Sequence, residues 1–116
     1  MFAHSYASNE VLIMYYKLME EIKKSKFELL DIIHHFTSGM KSVYSSDCYD
    51  GLLLIRQSLG GAGYSAWSGI PGLIEDFSPQ VTFEGDNTVM AQQSAGFLFK
   101  QAKRALKSKE SLGGPF

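Results

Sequence analysis

LLDIIHHFTSGMKSV, Leu29 to Val43, decides how this chain folds. Within it Leu29, Ile33, Phe36, Met40 and Val43 recur at steps of four, three, four and three. That rhythm is the seam of a helix bundle, because residues three and four apart stack on one face of an α-helix. No proline interrupts the run, and GLLLIRQSL, 51–59, carries the apolar character onward. A helix is therefore expected over about 27–57. Gly39 in its middle either costs about 1 kcal/mol against alanine or lets a second helix approach closely.

The flanks read the same way. Upstream, Leu12, Tyr15, Met19 and Ile22 repeat at helical steps, with Lys17, Glu20, Glu21 and Lys23 on the other faces. This predicts a helix over about 9–24, capped by Ser8 or Asn9, with the polar patch KKSK, 23–26, loosening the pattern. Downstream, LGGAGYSAWSGIPG, 59–72, holds five glycines and a proline and must end the central helix. A short apolar piece with Ile70, Leu73, Ile74 and Phe77 follows, and Ser78-Pro79 favours an extended segment through Phe83. A third long helix is expected over about 86–107, with Val89, Met90, Phe97, Leu98, Ala102 and Ala105 on its apolar stripe. Asp86, Asn87 and Thr88 suit its first turn.

The predicted class is thus all-α. It is an antiparallel helical bundle segment of three main helices, with a glycine-rich loop and an extended loop between the second and third. Residues 1–110 make one helical unit and 111–116 a frayed tail. The chain has 116 residues, 45% of them hydrophobic and 20% charged, which suits one globular domain. A formal charge of −1 gives no global field toward nucleic acid or anionic lipid. Lys100, Lys103, Arg104, Lys107 and Lys109 cluster late, as on a solvated helix face. The single cysteine, Cys48, excludes an internal disulfide and reads as a small buried or half-buried side chain. Apolar runs such as VLIMYY, 11–16, are too short to span a bilayer, and no secretory signal opens the chain. SLGGPF at the end is not a Ser-Lys-Leu peroxisomal address.

On a rigid helical frame, chemistry belongs on the loops. Gly60-Gly61-Ala62-Gly63-Tyr64 lets backbone N–H groups come close to a phosphate, or simply caps a helix with a tight turn. It is neither a dinucleotide-binding fingerprint nor a phosphate-binding P-loop, since it ends a helix and no Lys-Ser/Thr follows. Glu84 stands alone after Val81, Thr82 and Phe83 and directly before Gly85. It is either a helix-start acid favoured by the helix dipole or a base in an apolar, partly dry pocket. His34 and His35 point about 100° apart on a helix, which disfavours a shared metal.

Taken together the two loops resemble the acyl-CoA oxidases, peroxisomal relatives of the acyl-CoA dehydrogenases. The residues that carry the likeness are Arg56-Gln57-Ser58-Leu59-Gly60-Gly61-Ala62-Gly63-Tyr64-Ser65, then Ser68-Gly69-Ile70-Pro71, then Thr82-Phe83-Glu84-Gly85-Asp86-Asn87-Thr88-Val89-Met90. Glu28 to Asp50, including Thr37-Ser38-Gly39-Met40-Lys41, is similar to the family's preceding helix. In that family the glutamate of TFEG removes the α proton of a fatty acyl-CoA, and the β hydrogen leaves as hydride to FAD. O₂ then reoxidises the flavin, giving H₂O₂ and a trans-2-enoyl-CoA.

The resemblance implies that Glu84 is the catalytic base, flanked on the substrate side by Phe83 and Gly85. It implies that Gly60, Gly61 and Gly63 lie near the FAD diphosphate of a neighbouring subunit, with Gln57 as a side-chain contact. Asp86 and Asn87 match the positions beside the base, near cofactor and substrate. It further implies a peroxisomal location and a homodimer in the full-length context; no metal is expected, on the residues themselves. Two positions depart from the family: Ala62 replaces a frequent histidine, and Gly96 in QQSAGFLFK replaces a usual arginine. The family chain is several times longer and includes a β domain around the flavin ring, which this sequence does not cover. The alternative reading is a truncated, non-catalytic helical module that folds, or joins a partner, without turnover.

Overall fold

The computed structural model describes residues 2–24, 27 and 29–108. Among these the regular structure is all helical. The long helices are α1, Phe2–Lys23, α2, Leu30–Ser58, and α5, Asn87–Ser108. Between α2 and α5 lie the single turn α3, Gly61–Tyr64, and the two-turn helix α4, Ile70–Phe77, each followed by a 3₁₀ turn, Ala66–Ser68 and Ser78–Val81. The expected tail at 111–116, Lys109, and Ser25 and Lys26 of the KKSK patch lie outside the described residues.

The expected ends of α2 and α5 lie within a few residues of the observed ones, but α1 starts earlier. It reaches back to Phe2 because no glycine or proline stops it. Ser8, expected as a cap, instead donates its hydroxyl to the His4 carbonyl one turn back, at 2.8 Å. The extended segment expected through Phe83 is absent. Ser78 stays helical, at φ −49° and ψ −41°. Pro79 then opens a 3₁₀ turn whose carbonyl accepts from the Thr82 and Phe83 N–H groups, at 3.0 and 2.8 Å. A proline costs no hydrogen bond in a first turn, and that overrides the usual bias of the residue before it.

The chain divides into two compact units. The first comprises Met1–Gly39 and Ala91–Phe116. Its core holds Leu18 and Ile33, with the polar side chains His35 and Ser38 also buried. His35 Nδ1 lies 2.8 Å from Ser94 Oγ and 3.1 Å from the Ser94 carbonyl. Its ring stacks on Phe97, with centroids 4.7 Å apart and planes 20° from parallel. Asp31 pairs with Lys100 at 3.2 Å, and a Cβ on Gly39 would come within 3.0 Å of Ser94 Oγ. As numbers rise along α2 they fall along α5, so within this unit the two helices run antiparallel. The close contact at Gly39 is the one its sequence position allows for.

α1 keeps the predicted period but not the predicted face. Leu18 is buried and Val11, Met14 and Ile22 are half-buried, whereas Leu12, Tyr15 and Met19 are exposed. Two neighbouring stripes, Leu12-Tyr15-Met19 and Val11-Met14-Leu18, share the helical spacing, so spacing alone does not choose the face.

The second unit is Met40–Met90. In it α3, the 3₁₀ turn after it, α4 and the turn Ser78–Val81 pack successively, with α4 touching its neighbours on both sides. Gly63 is buried, and any Cβ there would overlap the Arg56 carbonyl oxygen. The glycine is what allows α3 to fold back on the end of α2. Tyr64 and Trp67 stand out beside it, 77% and 99% exposed.

Candidate active site

Glu84 sits at the end of the turn that Pro79 closes. Its φ is +55°, and it is the one non-glycine residue with positive φ among those described. A left-handed conformation costs an L-residue roughly 1–2 kcal/mol, so something on each side must hold it. On the near side the Phe83 N–H is fixed to the Pro79 carbonyl. On the far side Gly85 has φ +107°, and the Met90 side chain occupies the space a Cβ would need, with its methyl 2.6 Å from that position. Only glycine fits there.

α5 then starts on a conventional cap. Asp86 Oδ1 accepts from the Thr88 N–H at 2.9 Å, and the Asp86 carbonyl accepts from the Met90 N–H at 2.9 Å. Asn87 ties this helix start to α2. Its Oδ1 accepts from Lys41 Nζ at 2.7 Å and from Ser45 Oγ at 3.0 Å. Its Nδ2 faces the Ser42 carbonyl at 3.1 Å and the hydroxyls of Ser45 and Ser46, each at 2.8 Å. The Asn87 carbonyl accepts from Ser42 Oγ at 2.9 Å. The amide has no donor or acceptor left over for a ligand, so its visible work is to anchor the turn. Lys41 Nζ also donates to the Gly85 carbonyl at 2.5 Å, one residue from Glu84.

The described residues do not form the partly dry pocket expected around Glu84. Glu84 is exposed, and Phe83 is 44% exposed. The glycine turn is likewise open. Gln57 is exposed, and nothing lies within 4 Å of the Cβ positions of Gly60 and Gly61. These two glycines are sterically open to a close approach, although the Gly60 N–H already donates to the Gln57 carbonyl at 3.0 Å, whereas Gly63 is committed to internal packing. α4 packs against α3 on one side and against the turn leading to Glu84 on the other, so both loops hang on the same short helix.

Sequence reading missed Lys41 as a site residue, and with it Ser42, Ser45 and Ser46. A signal was present: these four lie at i, i+1, i+4 and i+5 of α2, a polar strip on one helix face. Cys48, expected to be at least half-buried, is exposed, because it lies off the packed face of α2. His34 is exposed while its neighbour His35 is buried. Among the described residues no three of His, Cys, Asp and Glu are grouped to hold a metal, and no helix is long and apolar enough to cross a membrane.

This is an all-α segment that presents a strained glutamate at a helix start and an open glycine turn. The family "Acyl-CoA oxidase, C-alpha1 domain" matches residues 1–99, and the chain belongs to the acyl-CoA oxidase family. It is 34% identical over 111 residues to the peroxisomal acyl-coenzyme A oxidase 2 of Mus musculus, covering 96% of this chain and 16% of that protein. It is 40% identical over 86 residues to the peroxisomal acyl-coenzyme A oxidase 1 of Homo sapiens, covering 74% of this chain and 13% of that one. The crystal structure of Caenorhabditis elegans acyl-CoA oxidase-1, complexed with FAD and ATP, superposes with a TM-score of 0.86 at 33% identity. It covers 95% of this chain and 17% of that one. Arabidopsis thaliana acyl-CoA oxidase 1 gives 0.80 at 35% identity, over 90% and 16%. The chain therefore spans about a sixth of the length of such relatives.

Proposed function

We propose that this chain is the base-bearing helical segment of an FAD-dependent peroxisomal acyl-CoA oxidase, with Glu84 as the base. The overall reaction converts a fatty acyl-CoA and O₂ to a trans-2-enoyl-CoA and H₂O₂, a step of fatty acid β-oxidation. The observation that carries this reading is the backbone of Glu84. A carboxylate-bearing residue keeps a left-handed φ of +55° between a closed turn and a helix start. Unrelieved strain of this kind is retained where a side chain has to be aimed.

The chemistry asks for such aim. The α proton of a thioester is only weakly acidic, so the base must be close, correctly directed and shielded from water. Glu84 takes that proton; Phe83 offers an apolar surface beside it, and Gly85 borders the substrate while its positive φ lets the chain turn directly after the base. Shielding comes from the bound acyl chain and from surfaces beyond these residues, since Glu84 alone is open to water. FAD, when bound, accepts the β hydride and returns the electrons to O₂. Gly60 and Gly61 fit its diphosphate, because their Cβ positions face open space. Gln57, exposed beside them, supplies a side-chain amide. Asp86 keeps the helix start directed at the site, and the glycine turn serves the flavin of a second subunit in a homodimer.

The test is Glu84→Gln in a full-length oxidase carrying this segment. The amide keeps the size and loses the basicity. Flavin content should stay at that of the parent while H₂O₂ release from acyl-CoA falls below a few per cent. Turnover above that level removes Glu84 from its role.

A further inference from the structure

Lys41 is the one cation that touches the Glu84 turn in the unit Met40–Met90. Its Nζ donates to the Gly85 carbonyl at 2.5 Å and to Asn87 Oδ1 at 2.7 Å. The Gly85 carbonyl belongs to the residue right after the strained glutamate, so an ammonium there fixes the peptide plane through which Glu84 connects to α5. Asn87 is itself held by the hydroxyls or carbonyls of Ser42, Ser45 and Ser46 along α2. The lysine therefore ties the turn to the part of α2 that lies in the same unit.

We propose that Lys41 is a positioning residue for the base: it holds the Gly85 carbonyl and so keeps Glu84 in its left-handed conformation, aimed at the substrate α carbon. The proposal rests on Glu84 being that base. Lys41 itself does not touch substrate. Without its ammonium the Gly85 carbonyl loses this donor, the hold on Glu84 from the α5 side weakens, and its carboxylate shifts off the α proton. Proton abstraction then suffers more than substrate binding does. A residue that merely stabilised the fold would lower the yield of active enzyme without changing turnover per bound flavin.

The experiment places residues 3–100 in the matching segment of the Caenorhabditis elegans oxidase and compares the chimera with its Lys41→Met, Lys41→Arg and Glu84→Gln variants. Turnover is expressed per bound FAD, and the primary isotope effect is measured with α-dideuterated acyl-CoA. Lys41→Met should lower kcat at least tenfold with KM within about threefold of the parent. Its isotope effect should rise as proton abstraction becomes slower than the other steps. Lys41→Arg, which keeps a charged donor, should recover part of the loss. Per-flavin turnover of Lys41→Met within twofold of the parent would overturn the proposal. So would loss of soluble flavoprotein in both lysine variants, which would assign Lys41 to folding alone. A parent chimera without flavin or turnover, or a Glu84→Gln variant that keeps turnover, refutes instead the functional reading beneath it.

Discussion

The His35 imidazole is stacked on the Phe97 ring and hydrogen-bonded to Ser94 at the same time, joining α2 to α5 by one apolar and one polar contact. Both contacts are made by a buried side chain. His35→Ala should therefore destabilise the fold by about 1–3 kcal/mol, the range for losing a buried hydrogen bond together with a packed ring. A double-mutant cycle with Ser94→Ala, read from urea unfolding, should show coupling of the two sites. Additive losses would mean the contact with the Ser94 hydroxyl contributes nothing net.

The glycine turn should answer differently at different positions. Gly63→Ala must push against the Arg56 carbonyl, which is backbone and cannot swing away, so a loss of about 2 kcal/mol or more is expected. Gly61→Ala meets open space inside a helical turn and should change stability by under about 1 kcal/mol. In a full-length oxidase the order should invert for flavin: Gly61→Ala should fold and yet weaken FAD binding. Thermal unfolding with and without FAD separates the two effects.

Glu84 offers a trade of activity against stability. Glu84→Gly removes the penalty of a left-handed non-glycine residue and should stabilise the chain by about 1 kcal/mol. The same change should abolish turnover. A variant that is less stable than the parent would show that the turn carries no strain at this residue.

Asn87→Ala should be among the most damaging single changes in the second unit. It leaves Lys41, Ser45 and Ser46 without the partner they share. A loss of about 2 kcal/mol or more is expected from unfolding curves. Asn87→Asp, which keeps the acceptor for Lys41, should cost less.

The 116-residue chain by itself should self-associate and should show no oxidase activity in excess FAD. Phe2, Tyr6, Tyr16, Tyr64 and Trp67 are all more than half exposed, and exposed apolar surface seeks a partner. Sedimentation across a concentration series tests the first half. A monodisperse monomer would argue that these side chains are tolerated in water. H₂O₂ release from a long-chain acyl-CoA tests the second.

The sequence by itself determined the helical class, the two central breaks and the identity of the motifs. Apolar periodicity and clustered glycines are local properties, written residue by residue. It misread the inward face of α1, where Leu12, Tyr15 and Met19 are exposed and Leu18 is buried, because two neighbouring apolar stripes share the helical period and only packing chooses between them. It also misread Ser78-Pro79, where a short-range proline rule yields to the packing of α4. Tertiary structure alone decided how Glu84 is held. Its left-handed φ and the grip of Lys41 on Gly85 join residues more than forty positions apart, and no local pattern encodes a hydrogen bond that only the packing of α2 beside α5 creates.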